Sequence, residues 1–285
     1  MKNKVLISAK ELIGFSSAET FAIIDTREQA EYVKGHIPGA VNIHRIFTYL
    51  ATEDNGGLET LSQTFVKEFS AAGISNKDFI VIYEDTFNNG YGQSCRGYFI
   101  LKYMGHENVS ILHGGFAAWQ QEGYEITVEI PVKPKTEFKP NINNNIVVTK
   151  EQMKEAIEKK EVVILDCRDK DEWTGENSSP YGKDFCPRKG RIPGAVWLEW
   201  HLLMNNNSGI PLFRSNEEIL EQCQQVGITP QSEVIVYCFK GSRASNTIVA
   251  LQQAGIKNVK NYFASWNEWS RDFSLPIDNS ILHLN

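Results

Sequence analysis

The chain has 285 residues, of which 41% are hydrophobic, and carries a formal net charge of −6. This length and composition predict a globular protein of two domains, and the negative charge argues against nucleic acid as a partner. The sequence has no apolar run of membrane-spanning length and no secretory signal at its start, so we expect no membrane partner and a cytoplasmic location. Five cysteines without CxxC spacing predict free thiols in a reducing compartment.

An internal repeat organises the chain. Four short motifs of the first half return in the same order in the second half: 21–27 as 162–168, 35–41 as 190–196, 79–83 as 233–237, and 108–109 as 258–259. Each copy alternates short apolar strands with helical patterns, such as residues 61–72 and 216–226. The pattern predicts an α/β fold of two similar doubly wound domains, each a mainly parallel sheet flanked by helices.

A composition change between the copies predicts the domain boundaries. Residues 128–145 are rich in proline, lysine and asparagine and have no hydrophobic periodicity, which is typical of an extended linker. We therefore expect a first domain at 1–127 and a second domain at 146–285.

The first copy lacks an evident nucleophile. It has Glu84 at the end of the strand that corresponds to residues 233–237, and the segment 85–94 that follows is longer than its counterpart. We therefore expect the first domain to be inactive. Cys95 lies in a predicted helix rather than at a strand end, which favours an inert thiol.

An insertion within residues 175–189 distinguishes the second copy from the first. It brings Cys186, Arg188 and Lys189 close in sequence to the Gly190-Arg191 turn. We interpret the insertion as a solvated loop, with a contribution to the rim of a site as the alternative.

The second copy has a reactive-cysteine pattern. A β-branched and aromatic run at 234–237 predicts a central parallel strand that ends at Cys238, and residues 244–254 have a helical pattern. A loop that closes over a helix N-terminus points backbone N–H groups and the positive end of the helix dipole at its centre. We therefore expect Cys238 to be shifted toward the thiolate.

The residues after Cys238 strengthen this interpretation. Lys240 and Arg243 supply positive charge beside the thiol, and Gly241 supplies the backbone freedom that a ring of converging amides needs. The loop predicts a nucleophilic sulfur in an anion-binding ring. The remaining residues of this ring are Phe239, Ser242 and Ala244.

These motifs together resemble the rhodanese sulfurtransferases. The shared features are Asp-x-Arg, Glu-(Tyr/Trp)-x-x-Gly, Gly-(His/Arg)-Ile-Pro-Gly-Ala and Cys-x-x-Gly-x-Arg-Ala, and the doubled arrangement resembles the tandem thiosulfate and 3-mercaptopyruvate sulfurtransferases. The resemblance covers nearly the whole chain and implies that only the second domain is active. It implies transfer of the outer sulfur of thiosulfate, a small anionic donor, through a Cys238 persulfide to cyanide or a thiol acceptor.

The loop favours thiosulfate as the donor. Lys240 matches a lysine of thiosulfate-type enzymes, whereas mercaptopyruvate-type enzymes usually have Cys-Gly-Ser/Thr-Gly there, so 3-mercaptopyruvate is the alternative donor. Arg168, from the Asp-x-Arg motif, has two interpretations of equal weight: it binds the donor, or it pairs with Glu172 and braces the loop. Six histidines without metal-ligand spacing predict no metal and no cofactor, and we expect a monomer.

Two other classes of function remain open. Cell-cycle-type cysteine phosphatases share this fold, but they place five residues between cysteine and arginine, whereas four separate Cys238 from Arg243. A non-catalytic interaction module is the second alternative, and it does not account for the retention of Cys238, Lys240 and Arg243 together.

Overall fold

A computed structural model describes residues 4–15, 20–52, 56–86 and 90–280. The two ends of the predicted domains, 1–3 and 281–285, and residues 87–89 of the predicted first-copy loop lie outside the described residues.

The chain divides into two compact units. Unit 1 comprises Met1–Tyr49, Gly56–Asn143 and Asn205–Leu212, and unit 2 comprises Leu50–Asn55, Asn144–Met204 and Phe213–Asn285. Residues 128–143 have no regular secondary structure and belong to unit 1, where Phe138 is buried against Phe69. Each unit therefore contains one short segment from the sequence range of the other.

Unit 1 is an α/β unit with an entirely parallel sheet of five strands, in the order β1-β5-β4-β2-β3. The strands are β1 (Leu6–Ile7), β2 (Phe21–Asp25), β3 (Ala40–Asn42), β4 (Phe79–Tyr83) and β5 (Val109–Leu112). The helices are α1 (Ala9–Ile13), α2 (Gln29–Tyr32), α3 (Arg45–Thr48), α4 (Gly57–Ala71), α5 (Gln93–Tyr103) and α6 (Gly115–Gln121).

Unit 2 repeats this plan with a parallel sheet in the order β11-β10-β6-β7. Its strands are β6 (Val162–Asp166), β7 (Val196–Trp197), β10 (Glu233–Tyr237) and β11 (Val259–Asn261). Its helices are α7 (Lys150–Ala156), α8 (Lys170–Thr174), α9 (Asn216–Gln225), α10 (Ser242–Gln253) and α11 (Ser265–Trp269). Two 3₁₀ turns, Asn144–Ile146 and Trp200–Leu203, and a two-stranded sheet of β8 (Met204–Asn205) and β9 (Leu212–Phe213) complete the secondary structure of the described residues.

The sequence explains why the central strands are buried. β4 reads Phe-Ile-Val-Ile-Tyr and β10 reads Glu-Val-Ile-Val-Tyr, and both are buried over their last four residues. Such continuous apolar runs are expected where helices cover both faces of a parallel sheet. The predicted doubly wound α/β architecture is therefore confirmed in both units.

The strand register determines where the loops of unit 2 leave the sheet. Asp166, the last residue of β6, lies opposite Tyr237, the last residue of β10. The next residues, Cys167 and Cys238, therefore follow neighbouring strands at the same carboxyl edge. Ligand sites of open parallel sheets are found at such edges.

Candidate active site

The loop of Cys238 turns directly from β10 into α10. Gly241, the residue before α10, has φ +88°, a conformation that side-chain-bearing residues rarely adopt. A Cβ atom at this position would lie 2.6 Å from Cδ2 of Phe263. The glycine is therefore required both by the backbone conformation and by the close approach of Phe263.

The sulfur of Cys238 is surrounded by hydrogen-bond donors. The N–H of Gly241 donates to Cys238 Sγ over 3.1 Å, and the amides of Ala244 and Lys240 also interact with it. Burial by itself raises the pKa of this thiol. The Cys167 side chain, the Arg243 guanidinium and these amides nevertheless hold the Cys238 pKa well below its ordinary value. The loop therefore favours a thiolate although the side chain is fully buried.

Cys167 lies next to Cys238 at the end of the neighbouring strand. Its thiol donates to the carbonyl oxygen of Tyr237 over 3.2 Å, and its side chain also interacts with that of Cys238. Burial raises the pKa of Cys167 well above its ordinary value, and the contact with Cys238 raises it further. The pair therefore consists of a protonated Cys167, whose thiol donates to the Tyr237 carbonyl, beside a Cys238 thiolate.

Helix α11 fixes the loop from the other side. The N–H of Trp266 donates to the carbonyl of Cys238 over 3.0 Å, and the N–H of Asn267 donates to that of Phe239, also over 3.0 Å. The hydroxyl of Ser265 accepts from the N–H of Cys238 over 3.2 Å. These bonds satisfy the backbone of a buried loop and hold its amides in place.

Arg243 forms ion pairs instead of facing an open site. Its Nη1 lies 3.0 Å from Asp169 Oδ2 and also contacts Glu172 Oε2, while its Nη2 donates to Glu172 Oε1 over 3.1 Å. Glu172 is buried, and burial raises its pKa, whereas Arg243 lowers it. The expectation that Glu172 pairs with Arg168 is wrong, because Arg243 occupies the Glu172 carboxylate.

Arg168 pairs with Asp166. Its Nε donates to Asp166 Oδ1 over 2.9 Å, its Nη2 donates to Oδ2 over 2.6 Å, and Nη2 also reaches the Gly190 carbonyl over 2.8 Å. The guanidinium lies 4.5 Å from the ring centroid of Trp266 and is fully buried. We call this arrangement the arginine brace of unit 2.

Unit 1 contains the same arginine brace. Arg27 Nη2 donates to Asp25 Oδ2 and to the Gly35 carbonyl, both over 2.7 Å, and the guanidinium lies 3.9 Å from the ring centroid of Phe116. A tyrosine hydroxyl donates to the aspartate over 2.6 Å in both units, Tyr83 in unit 1 and Tyr237 in unit 2. Because unit 1 has no cysteine at its strand end, the brace has a structural role that is independent of sulfur chemistry.

The insertion at 175–189 packs against the loop. The Tyr181 ring centroid lies 4.8 Å from that of Phe239, and the ammonium nitrogen of Lys240 lies 5.0 Å from the Tyr181 centroid. Phe185 makes an edge contact with Phe239. Both rings are also exposed to solvent, Tyr181 at 43% and Phe185 at 38%, so the insertion is a solvated loop that contacts the loop of Cys238 as well.

Arg188 anchors the end of the insertion. Its guanidinium donates to four backbone carbonyls at and after the end of α11, those of Trp269, Ser270, Asp272 and Leu275. Cys186 is buried in the core of unit 2. The insertion is therefore held as part of the unit, and it presents Tyr181 beside Lys240.

The corresponding position of unit 1 is filled by a carboxylate. Glu84 accepts from both the N–H and the hydroxyl of Ser94, the latter over 2.8 Å, and from the N–H of Gly92 over 3.2 Å. Burial raises the pKa of Glu84 to about 8, against the lowering effect of these hydrogen bonds. The N-terminus of α5 thus binds a side chain of its own chain.

Two groups within the described residues bring possible metal-ligating atoms together. The ligand atoms of Asp169, Glu199 and His201 lie within 4.8 Å of one another, as do those of Asp169, Asp171 and Glu172. In the second group, Arg243 already supplies positive charge to two of the three carboxylates.

Sequence reasoning missed Cys167 and the partner of Arg243. A signal for the first was available, because Cys167 and Cys238 each follow the last residue of a repeated strand. No local pattern linked Arg243 to Glu172, because 71 positions separate them in the sequence.

Known proteins resemble the chain over most of its length. The sequence profile of the rhodanese-like domain matches residues 8–122 and 149–272. The chain is 31% identical to the sulfur carrier protein TtuD of Thermus thermophilus, over 86% of each chain. It is 26% identical to the thiosulfate sulfurtransferase of Azotobacter vinelandii, over 96% of this chain and 97% of that one.

A solved structure has the same fold. The anaerobic ergothioneine biosynthesis enzyme from Chlorobium limicola, crystallised with trimethyl histidine, matches with a TM-score of 0.83 at 24% identity. The match covers 97% of this chain and 70% of that chain. None of the helices within the described ranges has the length and apolarity that a membrane crossing requires.

Proposed function

Because the chain belongs to the rhodanese family, we propose that this sulfurtransferase moves the outer sulfur of thiosulfate through a persulfide on Cys238 to cyanide or a thiol acceptor. The observation that carries the proposal is the environment of the Cys238 sulfur. Loop amides, the Cys167 thiol and a guanidinium converge on it and favour the thiolate. Such a sulfur is the activated nucleophile that covalent transfer needs.

In the first step, the Cys238 thiolate attacks the outer sulfur of thiosulfate. The bond between the two sulfurs of the donor breaks, and sulfite leaves with the electron pair. The amides of Lys240, Gly241 and Ala244 then stabilise the persulfide anion, as preorganised donors do in oxyanion holes.

In the second step, cyanide or a thiolate attacks the outer sulfur of the persulfide. The product is thiocyanate or a new persulfide, and the Cys238 thiolate is restored. Both steps exchange one sulfur between nucleophiles, so this mechanism requires no cofactor.

The two basic residues of the loop have different roles in this proposal. Arg243 stabilises the Cys238 thiolate, while its own guanidinium is paired with Glu172 and Asp169. Lys240, whose ammonium lies beside Tyr181, attracts the dianionic donor. We assign Arg168 to the arginine brace and not to donor binding, because its guanidinium is fully buried against Asp166.

The position of Arg243 also favours sulfur transfer over phosphate hydrolysis. A cysteine phosphatase needs its loop arginine to bind the phosphate oxygens, whereas the Arg243 guanidinium binds two carboxylates of its own chain. Phosphate would have to compete with both of them.

The catalytic role is assigned to residues 146–285, and residues 1–127 take no part in the transfer. We further propose a monomer in the cytoplasm. All five cysteines are free and buried, as is usual in a reducing compartment.

Steady-state thiocyanate production tests the proposal. Native protein, Cys238→Ser, Lys240→Met and Lys240→Arg are compared with thiosulfate or 3-mercaptopyruvate as donor. We expect thiosulfate to be preferred and Cys238→Ser to be inactive. Loss of the Lys240 charge is expected to raise KM for thiosulfate about tenfold, equivalent to about 1.4 kcal/mol, while Lys240→Arg retains most of the affinity.

The possible outcomes test the choice of donor and the role of Cys238 separately. A preference for 3-mercaptopyruvate, abolished by Cys238→Ser, would contradict the donor assignment and leave the nucleophile intact. Full activity in Cys238→Ser would contradict the mechanism.

A further inference from the structure

Cys167 and Cys238 form a pair of thiols at the ends of two hydrogen-bonded strands. Neighbouring strands lie about 4.8 Å apart, within the range of about 4.4 to 6.8 Å that separates the Cα atoms of disulfide-bonded cysteines. The registered pair Asp166 and Tyr237 immediately precedes the two cysteines. The backbone N–H of Cys167 donates to the Tyr237 carbonyl over 3.1 Å, and the Cys167 thiol lies 3.2 Å from the same oxygen. The spacing therefore suits a bond between the two sulfurs.

The corresponding pair in unit 1 has no sulfur. Thr26 takes the place of Cys167, and Glu84 takes the place of Cys238. The Thr26 hydroxyl donates to the Tyr83 carbonyl over 3.0 Å, as the Cys167 thiol does to the Tyr237 carbonyl over 3.2 Å. A hydroxyl therefore satisfies the structural requirement at this position, and the thiol of Cys167 is available for a chemical role.

We propose that Cys167 is a resolving cysteine, which attacks the inner sulfur of the Cys238 persulfide and releases the transferred sulfur as hydrosulfide. The inference rests on the proposed persulfide of Cys238. The atom that is attacked, Cys238 Sγ, belongs to the residue after Tyr237, whose carbonyl the Cys167 thiol contacts, and the two cysteine side chains interact. The enzyme thereby has a second route for releasing the transferred sulfur when no external acceptor is bound.

The step balances without an added oxidant. A bond forms between Cys167 Sγ and Cys238 Sγ, and the bond between Cys238 Sγ and the outer sulfur breaks. The outer sulfur takes the electron pair and the proton of Cys167 and leaves as hydrosulfide. An external dithiol of the thioredoxin class, with dithiothreitol as the laboratory probe, then reduces the Cys167–Cys238 disulfide and restores both thiols.

The test follows the fate of a loaded persulfide in the absence of acceptor. Native protein and Cys167→Thr are loaded with thiosulfate and desalted. Intact mass and released sulfide are then measured over time. The threonine variant reproduces the residue of unit 1 at this position, so we expect it to fold.

In the native protein, we expect the species heavier by one sulfur atom to convert to one lighter than the reduced chain by two hydrogen atoms. One sulfide should be released for each loaded chain, and a peptide map should contain a Cys167–Cys238 disulfide. In Cys167→Thr, we expect sulfide release to be at least about tenfold slower, with the persulfide retained.

Three results would overturn the proposal. A native persulfide as long-lived as that of Cys167→Thr, or sulfide release without the Cys167–Cys238 disulfide, would remove the role of Cys167 and leave the transfer function standing. No sulfur adduct in the native protein would contradict the persulfide itself, and with it the release. Peptide mapping of the native chain shows, without any variant, whether a Cys167–Cys238 disulfide forms.

Discussion

The two units hold different groups at the same place in the same fold. In unit 1, the N-terminus of α5 binds the Glu84 carboxylate through Ser94 and Gly92. In unit 2, the loop before α10 directs the Gly241 amide at the Cys238 sulfur. A helix N-terminus favours an anion in either case. Unit 1 occupies this position with its own Glu84 carboxyl group, which burial keeps protonated up to a pH of about 8, whereas unit 2 presents an anionic nucleophile.

The comparison also separates what the fold needs from what the chemistry needs. The arginine brace and its tyrosine occur in both units and therefore belong to the fold. Cys167 and Cys238 occur in unit 2, where unit 1 has Thr26 and Glu84 at the corresponding positions. The second residue of α10 is Arg243, whereas the second residue of α5 is Ser94. We therefore expect substitutions in the brace to lower stability by similar amounts in both units. Substitutions of Cys167, Cys238 or Arg243 should instead alter reactivity.

The largest expected effect on stability comes from breaking the brace in either unit. Arg27→Met and Arg168→Met each leave a buried aspartate without its partner, which we expect to lower the free energy of unfolding by about 3–5 kcal/mol. Denaturant unfolding of the two variants measures the effect. As a control, Lys34→Met removes an exposed ion pair with Glu31 and should cost less than about 1 kcal/mol.

Equal costs in the two units would support a structural role for Arg168. A variant Arg168→Met that unfolds like the native chain but loses thiosulfate binding would contradict it and return Arg168 to the donor site.

The next effect concerns the pH dependence of stability in unit 1. Folding raises the pKa of Glu84 from 4.5 to about 8, mainly through burial. Between these pH values the folded unit retains a proton that the unfolded chain has lost, so stability falls as pH rises through this range. Glu84→Gln should remove this pH dependence. For one titrating group, it amounts to at most about 1.4 kcal/mol of unfolding free energy for each pH unit.

Urea unfolding of native protein and Glu84→Gln at several pH values measures the difference. We expect the glutamine variant to gain stability relative to the native chain as pH rises. A constant difference across the range would show that Glu84 is ionised throughout in the folded unit.

A smaller effect is expected from the charge beside Cys238. Arg243→Gln should raise the Cys238 pKa, because the guanidinium favours the thiolate. The double variant Glu172→Gln, Arg243→Gln controls for the carboxylate that loses its partner. The ultraviolet absorbance of the thiolate, taken as the difference from the same protein carrying Cys238→Ser, follows the titration. An unchanged titration in both variants would remove Arg243 from the activation of the sulfur.

The sequence was sufficient to predict the repeat, the doubly wound sheets and the loop of Cys238. Those features depend on local patterns, such as the apolar run of β10 and the helical pattern of α10, which have the same physical meaning in any parallel sheet. The repeated strands also made the absence of a nucleophile at Glu84 visible without a structure.

Partners that lie far apart in the sequence were harder to predict. Arg243 and Glu172 are separated by 71 positions, and the spacing of four residues between Arg168 and Glu172 suggested a helical pair instead. Arg168 in fact donates to Asp166, two residues away, because the chain turns sharply after β6. The contact of Cys167 with Cys238 likewise depends on strand order, which the local pattern does not specify.

The most direct test of the central claim is a sulfur map of the protein after brief treatment with thiosulfate. Intact mass counts the added sulfur, and peptide mapping assigns it among Cys95, Cys167, Cys186, Cys223 and Cys238. The account predicts one sulfur atom on Cys238 and no adduct in Cys238→Ser. An adduct on another cysteine, or none on the native chain, would contradict the assignment of Cys238 as the residue that carries the sulfur.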